Sequence, residues 1–548
     1  MTLTLMQIEA TGIQDDVFGS NNLRQNVGAS ERVMRATTEW LVEGLRLAGL
    51  AANARWDDQE FTLALDGRTL ADGIQAQVIY TGGGNALVLF KGTQDTSAKS
   101  FTQKFTRLTL QRARGLPLVV EFCEFDETQV ALADAHRRVR EQAAVRKLDR
   151  VNDVPLLGLG VSAACDFTGL PAVDRDYDRR LASQMVMDKL AGFQDADKRL
   201  HHLLPIRPKF EFVYDFDQFG ERGESSYLAV IHADGNRMST RFDEIGSAFK
   251  RIEENAAYAR ALFRLSQAIA TESLRALKAM TDMLIHSFDD NEKRFGRNVP
   301  ARKKEGHQKD APWLLPFRPI VFGGDDVTFV AEGRFGLALA ARYLQSLAEK
   351  KLPAPLENEW GDPFYARAGV AIVKAHYPFS RAYELADDLA ASAKRKIGDL
   401  TPTGKGSVMD WHLSTSGVVL PLDQVRAREY AANNGNSLLI RPVRLNLGTQ
   451  LTESKYWRSW ENFDSVTRAF QTDWADRRNK VKALRDALRQ GTTAVQQFRI
   501  NYKEKLLPPI EGQSQMPETG WSGADCGYFD PIEAMDYYDP LDAKEQNG

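Results

Sequence analysis

The chain opens on "LTLMQIEA", where apolar and polar positions alternate as they do along a half-buried strand. After Gly28-Ala29-Ser30 the spacing turns helical, with Ser30 expected as the helix cap. The run "AQVIYTGGGNALVLF" is cut by Gly82, Gly83 and Gly84, which predicts two strands joined by a tight turn. An amphipathic helix around residues 98 to 114, the strand "LPLVVEFCEF" and a helix through "VALADAHRRVREQAAVRK" complete a βαββαβ-like order. That order returns in "SYLAVIHADG", helices from about residue 242, "PIVFGGDDVTFV", "FGLALAARYLQSLAEK", "YARAGVAIVKAH" and "SRAYELADDLAASAKRK". A duplication of this length predicts an α+β chain with two tandem ferredoxin-like, split-βαβ domains. Each is expected to hold a largely antiparallel sheet with helices on one face.

The pattern divides the chain into a first domain at 1–145, a connector at 146–222, a second domain at 223–415 and a helical C-terminal domain at 416–548. The connector carries proline-bearing loops such as "NDVPLLGLG" and "LPIRPKF". From Pro508 the sequence is rich in Gly, Pro, Asp and Glu, and reads as a loose tail or a segment that a partner orders.

A length of 548 residues suits such a multi-domain chain, and 43% apolar with 26% charged residues is a globular composition. No apolar run reaches membrane-spanning length, and the first residues lack the basic flank and cleavage site of a signal peptide. Three scattered cysteines, Cys123, Cys165 and Cys526, fit a reducing cytoplasm and offer no paired zinc spacing. With a net charge of -3, nucleic-acid binding would need local patches.

The chemistry is concentrated in the second glycine turn. Gly323, Gly324, Asp325 and Asp326 by themselves suit an ordinary hairpin. Asp234, ending the run "YLAVIHAD", changes that reading, because its strand should pair beside the hairpin and bring three carboxylates together. Like charges at that separation need cations, and oxygen-only ligands point to Mg²⁺ or Mn²⁺. Two such ions suit in-line phosphoryl transfer. Gly323 and Gly324 would let a nucleotide approach the backbone, and Gly235 and Asn236 would offer a carbonyl to metal and amides to phosphate. Lys394 is either a helix-end charge or a triphosphate ligand.

Together these motifs resemble the large, polymerase-like subunit of type III CRISPR effector complexes, a relative of the GGDEF nucleotide cyclases with two palm domains in tandem. "TGIQDDVFGSNNLRQNVGAS" and "YTGGGNALVLF" are similar to the first palm, with a degenerate turn. "HADGNRM", "FGGDD", "ARAGVAIV" and "ADDLAASAK" are similar to the active palm. The resemblance implies synthesis of (cyclic) oligoadenylates from ATP, with Asp234, Asp325 and Asp326 holding the metals, Lys394 on the triphosphate and an acceptor nucleotide near Gly82, Gly83 and Gly84. It also implies antiviral signalling, with guide RNA, target RNA, effector subunits or a second copy of the chain as partners. The absence of a His-Asp dipeptide makes it an HD-less variant, and Cys165 with Thr168 in place of a CxxC predicts no zinc. The alternatives are a non-catalytic nucleotide-binding scaffold of an RNA-guided complex and a guanylate-type cyclase. Weaker signals are the basic loop "EKRFGRNVPARKKEGHQKD", read as solvated or touching RNA, the pair His201 and His202, read as lacking carboxylates at ligand spacing, and Trp457 and Trp460, read as core or interface.

Overall fold

The structure is a computed structural model that describes residues 1–148, 160–219, 226–304, 311–401, 404–414, 420–445 and 456–541. Residues 152–159 of the "NDVPLLGLG" loop, residues 305–310 of the basic loop and the breaks drawn near 222 and 415 lie outside the described residues.

The fold mixes α and β with several sheets, two of which repeat one plan. In the first sheet β1 (Thr2–Ala10) lies between β3 (Asn85–Lys91) and β4 (Leu118–Asp126), and β2 (Ala76–Gly82) pairs outside β3, all antiparallel. Helices α1 (Leu23–Thr37) and α2 (Lys99–Arg112) fill the two crossovers, and α3 (Leu132–Leu148) follows β4. The connector contributes α4 (Gln184–Leu203).

The second sheet has the same order. Its first strand β5 (Tyr227–Gly235) lies between β7 (Asp326–Glu332) and β8 (Ala366–Lys374), with β6 (Phe317–Val321) outside β7. The crossovers hold α5 (Asn255–His286) and α6 (Gly336–Ala348), and α7 (Phe379–Leu400) follows β8. Two strands extend this sheet beyond β8: β9 (Ser407–Ser414), parallel to it, and β10 (Val443–Leu445).

Strand periodicity explains the layering. Leu3 and Leu5 point to one side of β1 and Met6 and Ile8 to the other, and all four are buried. The expectation of helices on one face is therefore corrected. Crossover helices cover one face of each sheet, and the trailing helices α3 and α7 cover the other. The two halves also pack reciprocally: α5 lies on β2, and α1 lies beside β6. Ser266 of α5 donates to the Thr81 carbonyl at 2.9 Å.

Three further readings change. Ser30 lies inside α1, which begins at Leu23 behind the Asn22 cap, because α1 must start early enough to cross α4 glycine on glycine. A Cβ on Gly28 would fall 1.7 Å from the Lys189 carbonyl, and one on Gly192 2.7 Å from the Gly28 carbonyl. The segment from Pro508 to Leu541 is folded rather than loose. Asp530 there is fully buried, accepting from the Ile440 and Arg441 amides at 2.8 and 3.0 Å, and Arg441 Nη2 reaches Glu533 at 3.2 Å. The acidic composition that suggested solvent thus serves internal pairing, since a buried carboxylate is tolerated only with such partners. The basic loop, where described, folds into a small sheet with Phe295 and Val299 buried.

The C-terminal helices Trp460–Thr472, Arg478–Gln490 and Thr492–Tyr502 pack with these last residues, and Trp457 and Trp460 are buried as expected. Among the described residues no helix is long and apolar enough to cross a membrane.

Candidate active site

The β5–β7 register sets Asp234 directly opposite Asp326. One residue on, the Gly235 amide donates to the Asp325 carbonyl at 3.0 Å, and a Cβ at 235 would come 3.1 Å from the Asp325 Cβ. Glycine at 235 therefore lets the turn fold back against the strand end. Gly323 takes φ +99°, so the acidic turn closes only with a residue that tolerates the left-handed region.

The two glycine turns meet. A Cβ on Gly324 would stand 3.8 Å from the Gly83 Cα and amide nitrogen, and one cavity of about 650 Å³ is lined by both Gly82–Gly84 and Gly323–Asp326. Trp56 and Phe61 of the hairpin that follows residues 52 and 53, which bond the edge strand β2, also line it, beside Phe242.

Electrostatics at the acids is unfavourable without cations. Burial, then the charges of Asp234 and Asp326, push the Asp325 carboxyl up to about 6. Burial also raises Asp234, against Arg367, His232 and Lys394, whose charges lower it. Asp326 Oδ1 is buried with no hydrogen bond, although His232 Nδ1 stands 3.3 Å from it. The carboxylates do not close into a set with one oxygen from each within 4.8 Å of the others. Like charges hold them apart, and Arg367 draws Asp234 aside through an ion pair. An oxygen-only donor set with an orphaned buried carboxylate oxygen fits a hard divalent ion.

The other candidates have mixed placements. The Asn236 amide donates to the Tyr365 carbonyl at 2.8 Å and its side chain to Gly406 at 2.9 Å, while the Gly235 amide is held by Asp325. Both amides assigned to phosphate are thus already donated within the fold, because they close the ends of β5. Lys394 is exposed on α7, close enough for its charge to act on Asp234.

Three residues escaped the sequence reading. His232, two positions before Asp234 on the same strand face, lies 3.3 Å from Asp326 and 3.4 Å from Asp387. Burial opposes its protonation, but Asp326, Asp387 and Asp234 outweigh that and raise its pKa. Strand alternation from Asp234 would have found His232, and the seven-residue step from Lys394 would have found Asp387. Arg367 had no signal beyond its place in "ARAGVAIV".

Away from this site, one described group of three has metal-ligand geometry: Asp197, His201 and Glu211. This corrects the reading of His201 as lacking carboxylates, since Asp197 lies one helical turn before it. Cations already balance the group, with Arg318 Nη1 2.7 Å from Asp197 and Lys304 Nζ 3.6 Å from Glu211, so it is an ion-pair network. His202 likewise meets Glu60 at 3.1 Å. Cys165 is 4% exposed beside Thr168, whose hydroxyl bonds Ser183 at 3.3 Å.

No family model and no curated protein matches the chain. Among solved structures, Csm1 of T. onnurineus is similar over 97% of this chain and 69% of its own, with 13% identity and a TM-score of 0.48. A Csm1-Csm4 cassette in complex with one ATP is similar over 77% and 56%, with 15% identity and a TM-score of 0.42. The cassette in complex with cA4 gives 72% and 53%, 15% and 0.39, so this chain spans about half the length of that relative. The neighbours are type III CRISPR large subunits. They come from the family whose motifs the sequence resembles, but overlap this loose decides nothing about chemistry, which rests on the residues above.

Proposed function

We propose that the chain is a nucleotidyltransferase that joins ATP into oligoadenylates, cyclic or linear, in type III CRISPR antiviral defence. The two similar sheets are read as tandem palm domains at 1–145 and 223–415, joined by the connector and followed by the helical C-terminal domain. The observation that carries the reading is the pairing of Asp234 with Asp326, where Asp326 and the adjacent Asp325 line a cavity shared with the acid-poor turn at Gly82–Gly84.

Asp234, Asp325 and Asp326 would hold Mg²⁺ or Mn²⁺. When bound there, the ions would lower the pKa of an attacking hydroxyl and neutralise charge on the leaving pyrophosphate. Gly323 and Gly324 leave the backbone bare where one nucleotide would lie, and of the three glycines assigned to an acceptor, Gly83 does the same, whereas a Cβ on Gly82 would meet Ser266 and one on Gly84 would meet Ile13 and Val33. Lys394, exposed on the metal side of α7, would meet the triphosphate as a mobile charge. His232 places an imidazole 3.3 Å from Asp326 and 3.4 Å from Asp387 beneath the site.

The test is incubation of purified protein with labelled ATP and Mn²⁺ or Mg²⁺, with products separated by chromatography. Oligonucleotide products that vanish with Asp325→Ala and Asp326→Ala are expected. No product under any activator, or full activity in those variants, would remove the proposal. The second reading, a nucleotide-binding scaffold without turnover, is favoured by the Arg367 ion pair on Asp234. It predicts ATP binding, co-purification with guide RNA and effector subunits, and no product.

A further inference from the structure

Arg367 lies directly across the β5–β8 pairing from Asp234. Its Nη2 donates to Asp234 Oδ2, and its Nη1 stands 3.4 Å from the Gly235 carbonyl and 3.3 Å from the Asn236 side-chain oxygen. One guanidinium thus covers the carboxylate and the backbone carbonyl at the strand end, two oxygens of the type a divalent ion would take. The side chain is mostly enclosed, and an arginine stays charged at any working pH.

The duplicated sheet supplies the control. Glu9 is paired with Asn85 as Asp234 is with Asp326, and the Ala10 amide donates to the Gly84 carbonyl at 2.8 Å as Gly235 donates to Asp325. The residue across from Glu9 on β4 is Val119, which therefore holds the position of Arg367. The strand geometry accepts an apolar residue at that point, so nothing in the backbone plan requires a cation there. Glu9 is instead neutralised from α3 by Lys147.

Resting on the metal reading of the site, the geometry points to Arg367 as a tethered counter-cation that competes with the divalent ion for Asp234 and the Gly235 carbonyl. It is a positioning residue that sets the metal concentration at which the site fills. In its resting position it keeps the acids from repelling one another, and an arriving ion must displace two or three charge-assisted hydrogen bonds.

The test is a titration of the full chain with Mn²⁺, reading free ion by electron paramagnetic resonance, for wild type, Arg367→Ala and Arg367→Lys. Arg367→Ala is expected to bind Mn²⁺ roughly tenfold more tightly than wild type, the equivalent of one lost charge-assisted bond. Arg367→Lys, which keeps the charge without the fork, should fall between them. With chelator present Arg367→Ala should melt at a lower temperature than wild type, and Mn²⁺ should restore it. Equal or weaker Mn²⁺ binding by Arg367→Ala, in a chain whose wild type does bind, overturns the competition and leaves the metal reading standing. If neither wild type nor Arg367→Ala binds Mn²⁺, and Asp234→Ala is indistinguishable from both, both readings are overturned.

Discussion

The two glycine turns occupy equivalent positions in two similarly ordered sheets and differ in charge. Around the second, Asp234, Asp325 and Asp326 stand at the ends of β5 and β7, and even the buried histidine, His232, has its pKa raised by acids. Around the first, the corresponding positions are Glu9, Gly84 and Asn85, and the only acid of the three is paired with Lys147. The nearby histidine, His136, is driven the opposite way, to about 3, by burial and then by Arg140. One backbone plan thus carries an acid-rich end in one copy and an acid-poor, charge-paired end in the other, and three side chains account for most of the difference.

The largest expected effect separates the turns by chemistry. Asp326→Asn should lower product formation at least roughly a hundredfold, as for loss of a group that stabilises transition-state charge. Asn85→Ala, at the equivalent point of the first turn, should change it by less than about threefold, well under 1 kcal/mol. Initial rates with labelled ATP measure both. Similar losses in the two variants would make the turns functionally equivalent and erase the contrast.

Next is packing. Gly369 of β8 sits where the first sheet has Glu121, as the pairings His232 with Gly369 and Gln7 with Glu121 establish. A Cβ at 369 would fall 1.9 Å from the Ala386 carbonyl and 2.5 Å from the Ala390 amide nitrogen, so α7 is pressed onto its sheet as α3 is not. Gly369→Ala should cost about 3 kcal/mol, the upper range of overpacking, in a urea melt. A cost under about 1 kcal/mol would show that α7 can lift away without penalty.

These contrasts bear on what the sequence made legible. The strands, the repeated strand order and the pairing of Asp234 with Asp326 could be read because alternation and turn chemistry are local signals, and register then follows from strand pairing. The clamp at Gly369 could not, because a glycine in a strand looks the same whether it faces solvent or a helix backbone. The folded tail was missed for a related reason: Asp530 and Glu533 look solvent-seeking until Arg441, some 90 residues away, is placed among them. Arg367 was invisible because the meaning of its charge depends on the residue across the sheet.

The two histidines give a pH test. His136 is held below its unfolded value of 6.5, so below pH 6.5 the unfolded chain binds a proton that the folded chain refuses. Stability should therefore fall as pH drops from 6.5 toward 3, by about 2 kcal/mol at pH 5 from this group. His136→Gln should remove that share of the slope between pH 7 and pH 5 in denaturant melts. His412, also lowered to about 3 by burial and then Arg441 and Arg426, would keep its own share. An unchanged slope would mean that His136 takes a proton inside the fold, and the contrast between the two histidines would be lost.

The smallest effect asks whether the glycines of the two turns do the same work. Gly84 has φ +77°, and a Cβ there would press to 3.0 Å from Ile13 and 3.2 Å from Val33, so Gly84→Ala adds crowding to backbone strain. Gly323 has φ +99° but nothing within 4 Å of an added Cβ, so Gly323→Ala should cost only the strain, about 1 kcal/mol. The first substitution should be the more destabilising by up to roughly 1 kcal/mol in melts without nucleotide. With ATP the order should reverse in a binding assay, because open space beside Gly323 is where a ligand would lie, whereas the space beside Gly84 is filled by the protein's own side chains. If both variants lose stability equally and neither weakens nucleotide binding, the bare backbone at Gly323 serves the turn alone.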